Sequence, residues 1–393
     1  MSGKVAVISA SQTKFGEHWD QSLRSLGSQA VIEAINSVEK GISSDAIHGI
    51  FVSNAGSDLL NGQANLGALI ADHSGLGGKP AFKIEASGAS GGFAIAQAYM
   101  SILSGLMDTV VVVGVEKMTD QVRSSAIVSL QSSSLDAEWE ALSGLTETGA
   151  FAMMAQAYFE KYPNENNRKW LASVSAKNHN HAVFNKNAHF RRAFTIDQII
   201  SSSMVSEPLT LLDCSPASDG AAAVILTKAD LVKNFTDTPI WVSGIGMATD
   251  TIALHDRADL TSFSATKEAG KRAFAMAGLK PSDIQLAEMY DNYTITELIC
   301  LEDLGFFKPG TAGIASLQEK TSLKTEGLVT SPSGGLKAMG HPIGATGVAQ
   351  AAEIFWQLRG ETQKERQVKD AKNGLANCLG GSGSSASVNI FSK

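Results

Sequence analysis

The chain is poor in the features that mark secreted, membrane-embedded or nucleic-acid-binding proteins. It has only three cysteines, and they lie too far apart in sequence to form a disulfide framework. No apolar run approaches the roughly 20 residues that cross a bilayer, and residues 1–4 lack a secretory pattern. The net charge is −7, which argues against general nucleic-acid binding. We therefore expect a soluble, cytoplasmic protein without membrane or nucleic-acid partners.

Proline is also scarce, at 9 residues, whereas glycine is abundant, at 37, and this balance suits many tight turns between regular elements. Short apolar segments that predict strands, such as residues 5–9 and 240–244, alternate with helical patterns such as residues 23–39. This alternation favours an α/β fold with parallel or mixed sheets covered by helices. A length of 393 residues is enough for two or three domains.

The richest local pattern is the segment 333–347, where His341 lies in a glycine-dense loop directly before a predicted helix at 348–358. Glycines let a backbone come close to a ligand, and Pro342 stiffens the turn beside the imidazole. We expect Thr346 to cap the helix. A histidine held at a helix N-terminus can donate to a developing oxyanion. The alternative is a glycine-rich turn with a solvated histidine.

The same arrangement occurs earlier in the chain. A turn at 88–91 precedes a helix-forming segment at 93–103, as the turn at 344–347 precedes the helix at 348–358, and a short strand follows each helix. These parallels indicate an internal duplication of one α/β unit. We place the two halves at residues 1–235 and 236–393, with two helix N-termini converging on one centre.

A polar stretch, residues 119–203, interrupts the first half and is too long for a simple loop. Its part at 160–195 holds seven basic and two acidic residues, which is typical of a site for a phosphate-bearing ligand or of a solvated basic face. We expect no metal at His179, His181 and His189, because no cysteine or carboxylate cluster completes a ligand set.

Several motifs together resemble the thiolase superfamily, closest to the archaeal acetoacetyl-CoA and sterol-carrier types, over essentially the whole chain. The resemblance rests on the histidine loop at 340–347, the Cys-x-Gly motif at 377–381, the signature at 213–223, and the segments 115–119 and 290–298.

This resemblance implies a five-layer α-β-α-β-α fold made of the two halves, with residues 119–203 as an inserted loop domain that binds coenzyme A. It implies a homodimer, or a dimer of dimers, formed through the sheets. The implied activity is that of an acyl-CoA acyltransferase, by Claisen condensation of acyl-CoA thioesters or its reverse. The coenzyme A thioester is then a substrate, with no separate bound cofactor and no metal. Ser333, Gly334 and Gly335 are implied to contact that substrate.

Two catalytic motifs of the family carry other residues here, at three positions. The flanking motif places Gly88 where the family has its nucleophilic cysteine, so ordinary thiolysis through an acyl-enzyme is not expected. Tyr290 replaces a residue that helps to form the oxyanion site, and Asn292 stands where the sterol-carrier type has a cysteine. His341 and Cys378 are retained.

Catalysis would then depend on the groups that remain. We expect His341 to act as oxyanion donor or proton shuttle, helped by the backbone N–H groups of Gly88 and Gly380. Cys378 is either a base or an inert buried thiol. Tyr290 and Asn292 complete the predicted catalytic set.

Two other functions within this resemblance are left open. Some thiolase-like proteins without the cysteine are retro-aldolases on β-hydroxyacyl-CoA thioesters. They use tyrosines as acid–base groups and have a small zinc-ribbon plus OB-fold partner. Tyr290 is similar in position to such a tyrosine, whereas Tyr293 has the alternative of an ordinary aromatic. The chain could also be a non-catalytic CoA-binding subunit of a larger complex.

A hydrolase is a further alternative. Gly88, Ser90 and Gly92 satisfy the Gly-x-Ser-x-Gly elbow pattern, for which Ser90, Asp291 and His341 would form a triad. We expect the neighbouring serine, Ser87, to point away from the site.

Overall fold

A computed structural model describes residues 4–121 and 124–393 of the chain. In this part, ten strands form one mixed sheet, and two short strands pair separately. The strands are β1 (Val5–Gln12), β2 (Gly49–Ser53), β3 (Ala81–Ile84), β4 (Thr109–Glu116), β5 (Met204–Ser206), β6 (Leu209–Thr210), β7 (Gly220–Lys228), β8 (Ile240–Thr249), β9 (Leu286–Glu288), β10 (Val329–Thr330), β11 (Asn373–Gly380) and β12 (Ser385–Ser392).

The large sheet consists of two halves with the same strand order. The order is β3-β2-β4-β7-β1 in the first half and β10-β9-β11-β12-β8 in the second. In each half the first three strands are parallel and the last two are antiparallel to their neighbours. The halves meet where β1 pairs with β8 at only two positions, Ala6 with Trp241 and Val7 with Ile240. This repetition confirms the predicted duplication.

Fourteen α-helices surround the sheet in the described residues. They are α1 (Leu23–Asn36), α2 (Ser57–Leu60), α3 (Leu66–His73), α4 (Ser90–Leu103), α5 (Ser124–Ser132), α6 (Glu147–Lys161), α7 (Asn167–Ala182), α8 (Ile196–Ile200), α9 (Val232–Phe235), α10 (Ser264–Ala277), α11 (Thr294–Asp303), α12 (Ala312–Leu317), α13 (Gly335–Met339) and α14 (Ile343–Arg359).

The helices and strands stack in five layers. The middle layer, α4 and α14, packs against β4 and β7 of the first half and against β11 of the second. The outer layers are α1 with α3 on the first half and α10 on the second, where it covers β8 and β12. The predicted five-layer α/β architecture is therefore confirmed.

Helices α4 and α14 cross with their backbones in contact. A β-carbon on Gly91 would lie 2.7 Å from Gly347 Cα, and one on Gly347 would lie 2.8 Å from the backbone nitrogen of Gly92. Only glycine permits this approach. The crossing brings the N-terminal ends of both helices to one place.

The predicted insertion, residues 119–203, contains α5 to α8, and the short pair β5–β6 follows directly after it. Its buried aromatic side chains, Phe151, Tyr158 and Trp170, belong to the same core as residues of the second half. The Tyr158 hydroxyl also donates to the Glu302 carboxylate at 2.6 Å. The insertion is thus fixed against the second half. Its role in binding coenzyme A and the domain boundaries stay predictions.

The prediction that Thr346 caps the long C-terminal helix is wrong. Helix α14 begins at Ile343 with Pro342 as its N-cap, so Thr346 lies inside the first turn. Because Pro342 presets a backbone angle near the helical value, the helix can start directly after it. The Thr346 hydroxyl instead donates to the Pro342 carbonyl oxygen at 3.0 Å.

Two further properties concern the described residues only. None of their helices combines the length and the apolar character needed to cross a bilayer. No group of three or more His, Cys, Asp or Glu side chains among them is arranged to hold a metal ion.

Candidate active site

A cavity of about 560 Å³ lies where the turns after β3, β9 and β11 meet the start of α14. Part of the insertion covers it. The residues that line it include Glu85, Ala86, Ser87, Tyr290, His341, Ile343, Gly380 and Gly381 from the two halves, and Leu130, Gln131, Ser133, Ser134 and Glu147 from the insertion. Both halves and the insertion thus contribute to one site.

The phenol of Tyr290 occupies the space beside Gly88. A β-carbon on Gly88 would lie 2.6 Å from Tyr290 Cζ, and it would overlap the phenol oxygen and the Leu379 carbonyl oxygen. Such distances are far shorter than van der Waals contact. No side chain, and hence no cysteine thiol, fits at residue 88 while Tyr290 keeps this position.

Tyr290 and His341 form a hydrogen-bonded pair. Tyr290 Oη lies 3.1 Å from His341 Nε2, and the two rings meet edge to face. The other ring nitrogen, Nδ1, lies 2.8 Å from Thr346 Oγ1. Because the single Thr346 hydroxyl proton goes to the Pro342 carbonyl, Nδ1 must be the donor in that second contact. Nε2 is then unprotonated and accepts from the Tyr290 hydroxyl.

Burial keeps both members of this pair neutral. Desolvation lowers the pKa of His341 to about 3 and raises the pKa of Tyr290 well above its usual value. At neutral pH the imidazole therefore carries a free lone pair at Nε2 and the phenol keeps its proton. The pair can move a proton from an oxygen that approaches Tyr290 towards His341. In this tautomer Nε2 can accept a proton, and the role of His341 as oxyanion donor or proton shuttle stays a prediction.

A buried carboxylate holds the histidine loop. Glu116, at the end of β4, accepts from the backbone N–H groups of Gly344 and Ala55, each at 2.9 Å, and from Gly56 at 3.0 Å. The backbone N–H of His341 donates to Ser218 Oγ at 3.2 Å. The segments 115–119 and 213–223, which support the resemblance, thus position the loop.

Glu147 is a site residue that the sequence analysis did not identify. It lines the cavity in the first turn of α6, whose N-cap is Thr146. Burial raises the pKa of its carboxyl group to about 8, partly opposed by a hydrogen bond from Tyr293. The sequence around Glu147 does not mark it as a site residue, because a glutamate directly after a helix N-cap is common in any protein.

Cys378 lies beside the cavity, outside its lining. Its thiol is fully buried and donates to Gln350 Oε1 at 2.9 Å, and burial raises its pKa to about 12. This environment favours the inert thiol among the two roles considered. The catalytic role stays a prediction.

Asn292 is also buried behind the cavity. Its Oδ1 accepts from Thr296 Oγ1 at 3.0 Å and from the Tyr293 backbone N–H at 3.1 Å. Within the described part of the chain, its Nδ2 has no hydrogen-bond partner. Its assignment to the catalytic set stays a prediction.

Ser333, Gly334 and Gly335 have structural partners. The Ser333 hydroxyl donates to Glu288 Oε2 at 2.6 Å, and a β-carbon on Gly335 would lie 2.6 Å from Asp291 Oδ1. A β-carbon on Gly334 would lie 2.5 Å from that of Ala182. The turn that leads into α13 is thus tightly packed against Ala182 and Asp291. A contact with substrate there stays a prediction that these partners do not support.

The hydrolase triad is not assembled. The Ser90 hydroxyl donates to the Ser87 carbonyl at 2.5 Å and accepts from the Ala86 N–H at 2.8 Å, which fixes the turn. Asp291 accepts from the backbone N–H of Leu336 at 2.7 Å. Neither side chain contacts the His341 ring, whose two nitrogens face Tyr290 and Thr346. Ser87 is among the residues that line the cavity, and the direction of its side chain stays a prediction.

The basic residues of the insertion are partly neutralised by the rest of the chain. Lys161 pairs with Asp259 at 2.8 Å, Arg168 pairs with Asp213 at 2.6 Å, and Lys177 pairs with buried Glu297. Among the described residues, none of the seven basic side chains lines the cavity. A phosphate site in the insertion would therefore have to use the other four basic side chains.

The three histidines are packed separately. His181 contacts the Ser331 carbonyl at 3.1 Å and His189 contacts Ser218 Oγ at 2.9 Å. His179 packs edge to face against Phe194.

Comparisons with known proteins agree with this architecture. The model of the thiolase N-terminal domain matches residues 5–230, and that of the thiolase C-terminal domain-like family matches residues 246–393. The acetyl-CoA acetyltransferase of Methanothermobacter thermautotrophicus is 46% identical over 389 residues, covering 99% of each chain.

Two solved structures share the fold. The Ltp2–ChsH2(DUF35) aldolase superposes with a TM-score of 0.86 at 23% identity, covering 99% of this chain and 98% of that one. Human mitochondrial 3-ketoacyl-CoA thiolase in complex with CoA gives a TM-score of 0.74 at 20% identity, covering 100% of this chain and 98% of that one. With two family models that together span most of the sequence and an archaeal relative of nearly half-identical sequence, the chain belongs to the thiolase family of acyl-CoA acyltransferases.

Proposed function

We propose that this member of the thiolase family breaks and forms the Cα–Cβ bond of a β-hydroxyacyl-CoA thioester without an acyl-enzyme, as a retro-aldolase. One observation carries the proposal: the phenol oxygen of Tyr290 takes the space that a side chain at Gly88 would need. A covalent route through residue 88 is thereby closed, and an acid–base group stands in its place.

The Tyr290–His341 pair supports the first step. The β-hydroxyl of the substrate gives its proton to Tyr290 Oη while the phenol proton passes to His341 Nε2. The Cα–Cβ bond breaks, Cβ leaves as an aldehyde or ketone, and the bonding electrons form the enolate of the shorter acyl-CoA. Protonation of that enolate at Cα completes the reaction.

The burial of His341 couples these charges. Desolvation disfavours an isolated imidazolium at His341, as its low pKa shows. A negative enolate forming nearby offsets that cost, because charges attract strongly at low dielectric. Proton uptake by His341 is therefore favoured only as the bond breaks.

Acyl transfer is the second candidate, favoured by the name of the archaeal relative, an acetyl-CoA acetyltransferase. In this chain it would proceed by direct attack of an enolate on a thioester carbonyl. That route needs two CoA thioesters in the site together. The non-catalytic CoA-binding subunit is the outcome if neither reaction occurs.

We place the coenzyme A moiety under the insertion. In support, the insertion lines the cavity with Leu130, Gln131, Ser133, Ser134 and Glu147. The fold is that of a human thiolase solved with CoA bound. Coenzyme A is then part of the substrate.

For assembly we propose a homodimer through the free edge of the first half-sheet. Among the described residues strand β3 ends the sheet; its Phe82 is 43% exposed, and at the end of α4 Leu103 is 46% and the following Leu106 84% exposed. An unpaired edge with apolar neighbours is a common dimer contact.

A small zinc-ribbon and OB-fold partner also belongs to the proposal, since the aldolase of similar fold is named together with a DUF35 component. The free cysteines and acidic charge fit a cytoplasmic location.

The test is product analysis with three assays on one preparation. Under the proposal, β-hydroxyacyl-CoA thioesters are split into a carbonyl compound and a shorter acyl-CoA. Acetoacetyl-CoA with free CoA gives no acetyl-CoA, and intact mass shows no acylated protein. Thiolysis without cleavage of β-hydroxyacyl-CoA would overturn the proposal in favour of acyl transfer. Binding of CoA thioesters without any turnover would support the non-catalytic subunit.

A further inference from the structure

The proposed cleavage leaves an enolate that must gain a proton at Cα, and the Tyr290–His341 pair is occupied with the β-hydroxyl proton. Cys378 is poorly placed for this second transfer, because its buried thiol donates to Gln350 and lies outside the cavity lining. A separate acid is therefore needed on the cavity wall.

Three carboxyl groups line the cavity in the described part of the chain, and two are already engaged. Asp58 pairs with Lys83 at 2.6 Å. Glu85 accepts from the Ser87 backbone N–H at 2.6 Å and is exposed. Glu147 is half-buried, and no cation pairs with it in the described residues. It is the carboxyl group that can stay protonated.

Neighbouring side chains orient Glu147. Tyr293 Oη lies 3.4 Å from Glu147 Oε2 and 2.9 Å from Thr148 Oγ1. The Tyr293 ring stacks on Phe151 with centroids 4.7 Å apart. Since Tyr293 is buried and fixed on two sides, its hydroxyl orients Glu147 through Oε2, and the Glu147 side chain lines the cavity.

We propose that Glu147 is the catalytic acid at Cα, donating its carboxyl proton to the enolate on cleavage and removing that proton in the direction of synthesis. The assignment rests on the function proposed above. In the cleavage direction the enolate electron pair forms the new Cα–H bond, the thioester carbonyl is restored and Glu147 becomes a carboxylate. Exchange with water then returns a proton to Glu147 and removes one from His341. Tyr293 is a positioning residue in this scheme.

The test is exchange of the Cα protons of a short acyl-CoA product with deuterium oxide, followed by mass spectrometry. This half-reaction needs Glu147 but no carbon–carbon cleavage. We expect the wild type to exchange these protons and Glu147→Gln to lose roughly 10²–10⁴-fold in rate, the scale of a lost acid–base group. Glu160→Gln, on the exposed side of the same helix, serves as the matched control and should exchange at the wild-type rate.

Folding and thioester binding of each variant are checked by its melting transition and by calorimetric titration with the same acyl-CoA. Exchange by Glu147→Gln at the wild-type rate would overturn the assignment, as would a wild type that binds acyl-CoA without exchange. If exchange depends on Glu147 but no β-hydroxyacyl-CoA is cleaved, the assignment stands and the retro-aldol function fails. If β-hydroxyacyl-CoA is cleaved but the exchange rate does not depend on Glu147, the retro-aldol function stands and the assignment of Glu147 fails.

Discussion

A β-carbon on residue 88 would lie 2.6 Å from Cζ of Tyr290, so the glycine at 88 and the tyrosine at 290 are one coupled feature. The departures at 88 and 290, separated by about half of the chain, meet at one point in space. Replacement of either residue alone leaves a clash or a void. The site is thus arranged around a phenol in place of a thiol.

We expect Gly88→Cys to fold poorly and to remain unacylated by acetyl-CoA, because the new side chain overlaps Tyr290 and the Leu379 carbonyl. Overpacking of this kind costs about 1–3 kcal/mol in the free energy of unfolding. Gly88→Cys/Tyr290→His should recover part of that loss. Gly77→Ala, at a position with open space, is the control. Denaturant unfolding measures the effect, and equal stability of the Gly88→Cys and Gly77→Ala variants would contradict the coupling.

His341→Ala should lower any cleavage activity by roughly 10²–10⁴-fold, since it removes the acceptor of the relayed proton. It also leaves the buried Tyr290 hydroxyl without its partner, at a cost of about 1–3 kcal/mol in stability. His73→Ala, at a partly exposed position on α3, is the control for histidine replacement. Steady-state rates near those of the wild type would remove His341 from the mechanism.

Glu147→Gln should become more stable relative to the wild type as the pH rises. The folded-state pKa of Glu147 is about 8, against an ordinary value of 4.5, so the folded chain keeps a proton that the unfolded chain has lost. The wild type therefore loses stability between 4.5 and about 8, whereas glutamine does not titrate. Urea unfolding of both proteins across this range measures the difference. A difference that is independent of pH would show that the carboxyl group is not destabilised by burial.

Cys378→Ala should leave cleavage activity within a few-fold of the wild type, because the thiol lies outside the cavity lining and burial raises its pKa to about 12. In the folded wild type, Cys378 should also resist iodoacetamide, which reacts with thiolates. Peptide mass spectrometry identifies the modified cysteine. A large loss of activity combined with rapid alkylation at Cys378 would instead identify it as the base.

Much of the fold was readable from local patterns. In each half a glycine-rich turn precedes a helix, α4 or α14, and a buried strand follows that helix. This pattern predicts the duplication, because glycine requirements and apolar runs are local properties of the sequence. The start of α14 was misplaced because a proline at an N-cap and a threonine one turn later both suit a helix beginning. The register of the motif around residue 88 identified the missing thiol.

The sequence alone is a poorer guide to which side chains form the site. That Tyr290 fills the space at Gly88 depends on how two distant turns meet, which no spacing rule describes. Glu147 lies in a region of weak sequence pattern, and its unusual pKa comes from burial by other segments. The ion pairs of Lys161, Arg168 and Lys177 likewise depend on tertiary partners. Charge and composition alone left a phosphate site and a solvated basic face both open, and they could not show that three of these basic side chains pair with acidic residues of the same chain.

The central claim is that the Tyr290 hydroxyl carries out acid–base chemistry in the place of a nucleophile. It is tested most directly by comparing Tyr290→Phe with the wild type in single-turnover cleavage of a β-hydroxyacyl-CoA, with carbonyl product, acyl-CoA and intact protein mass all measured. The account predicts equal amounts of carbonyl product and acyl-CoA from an unmodified wild type, and a loss of roughly 10²–10⁴-fold in Tyr290→Phe. An acylated wild-type protein, or a phenylalanine variant as fast as the wild type, would contradict it.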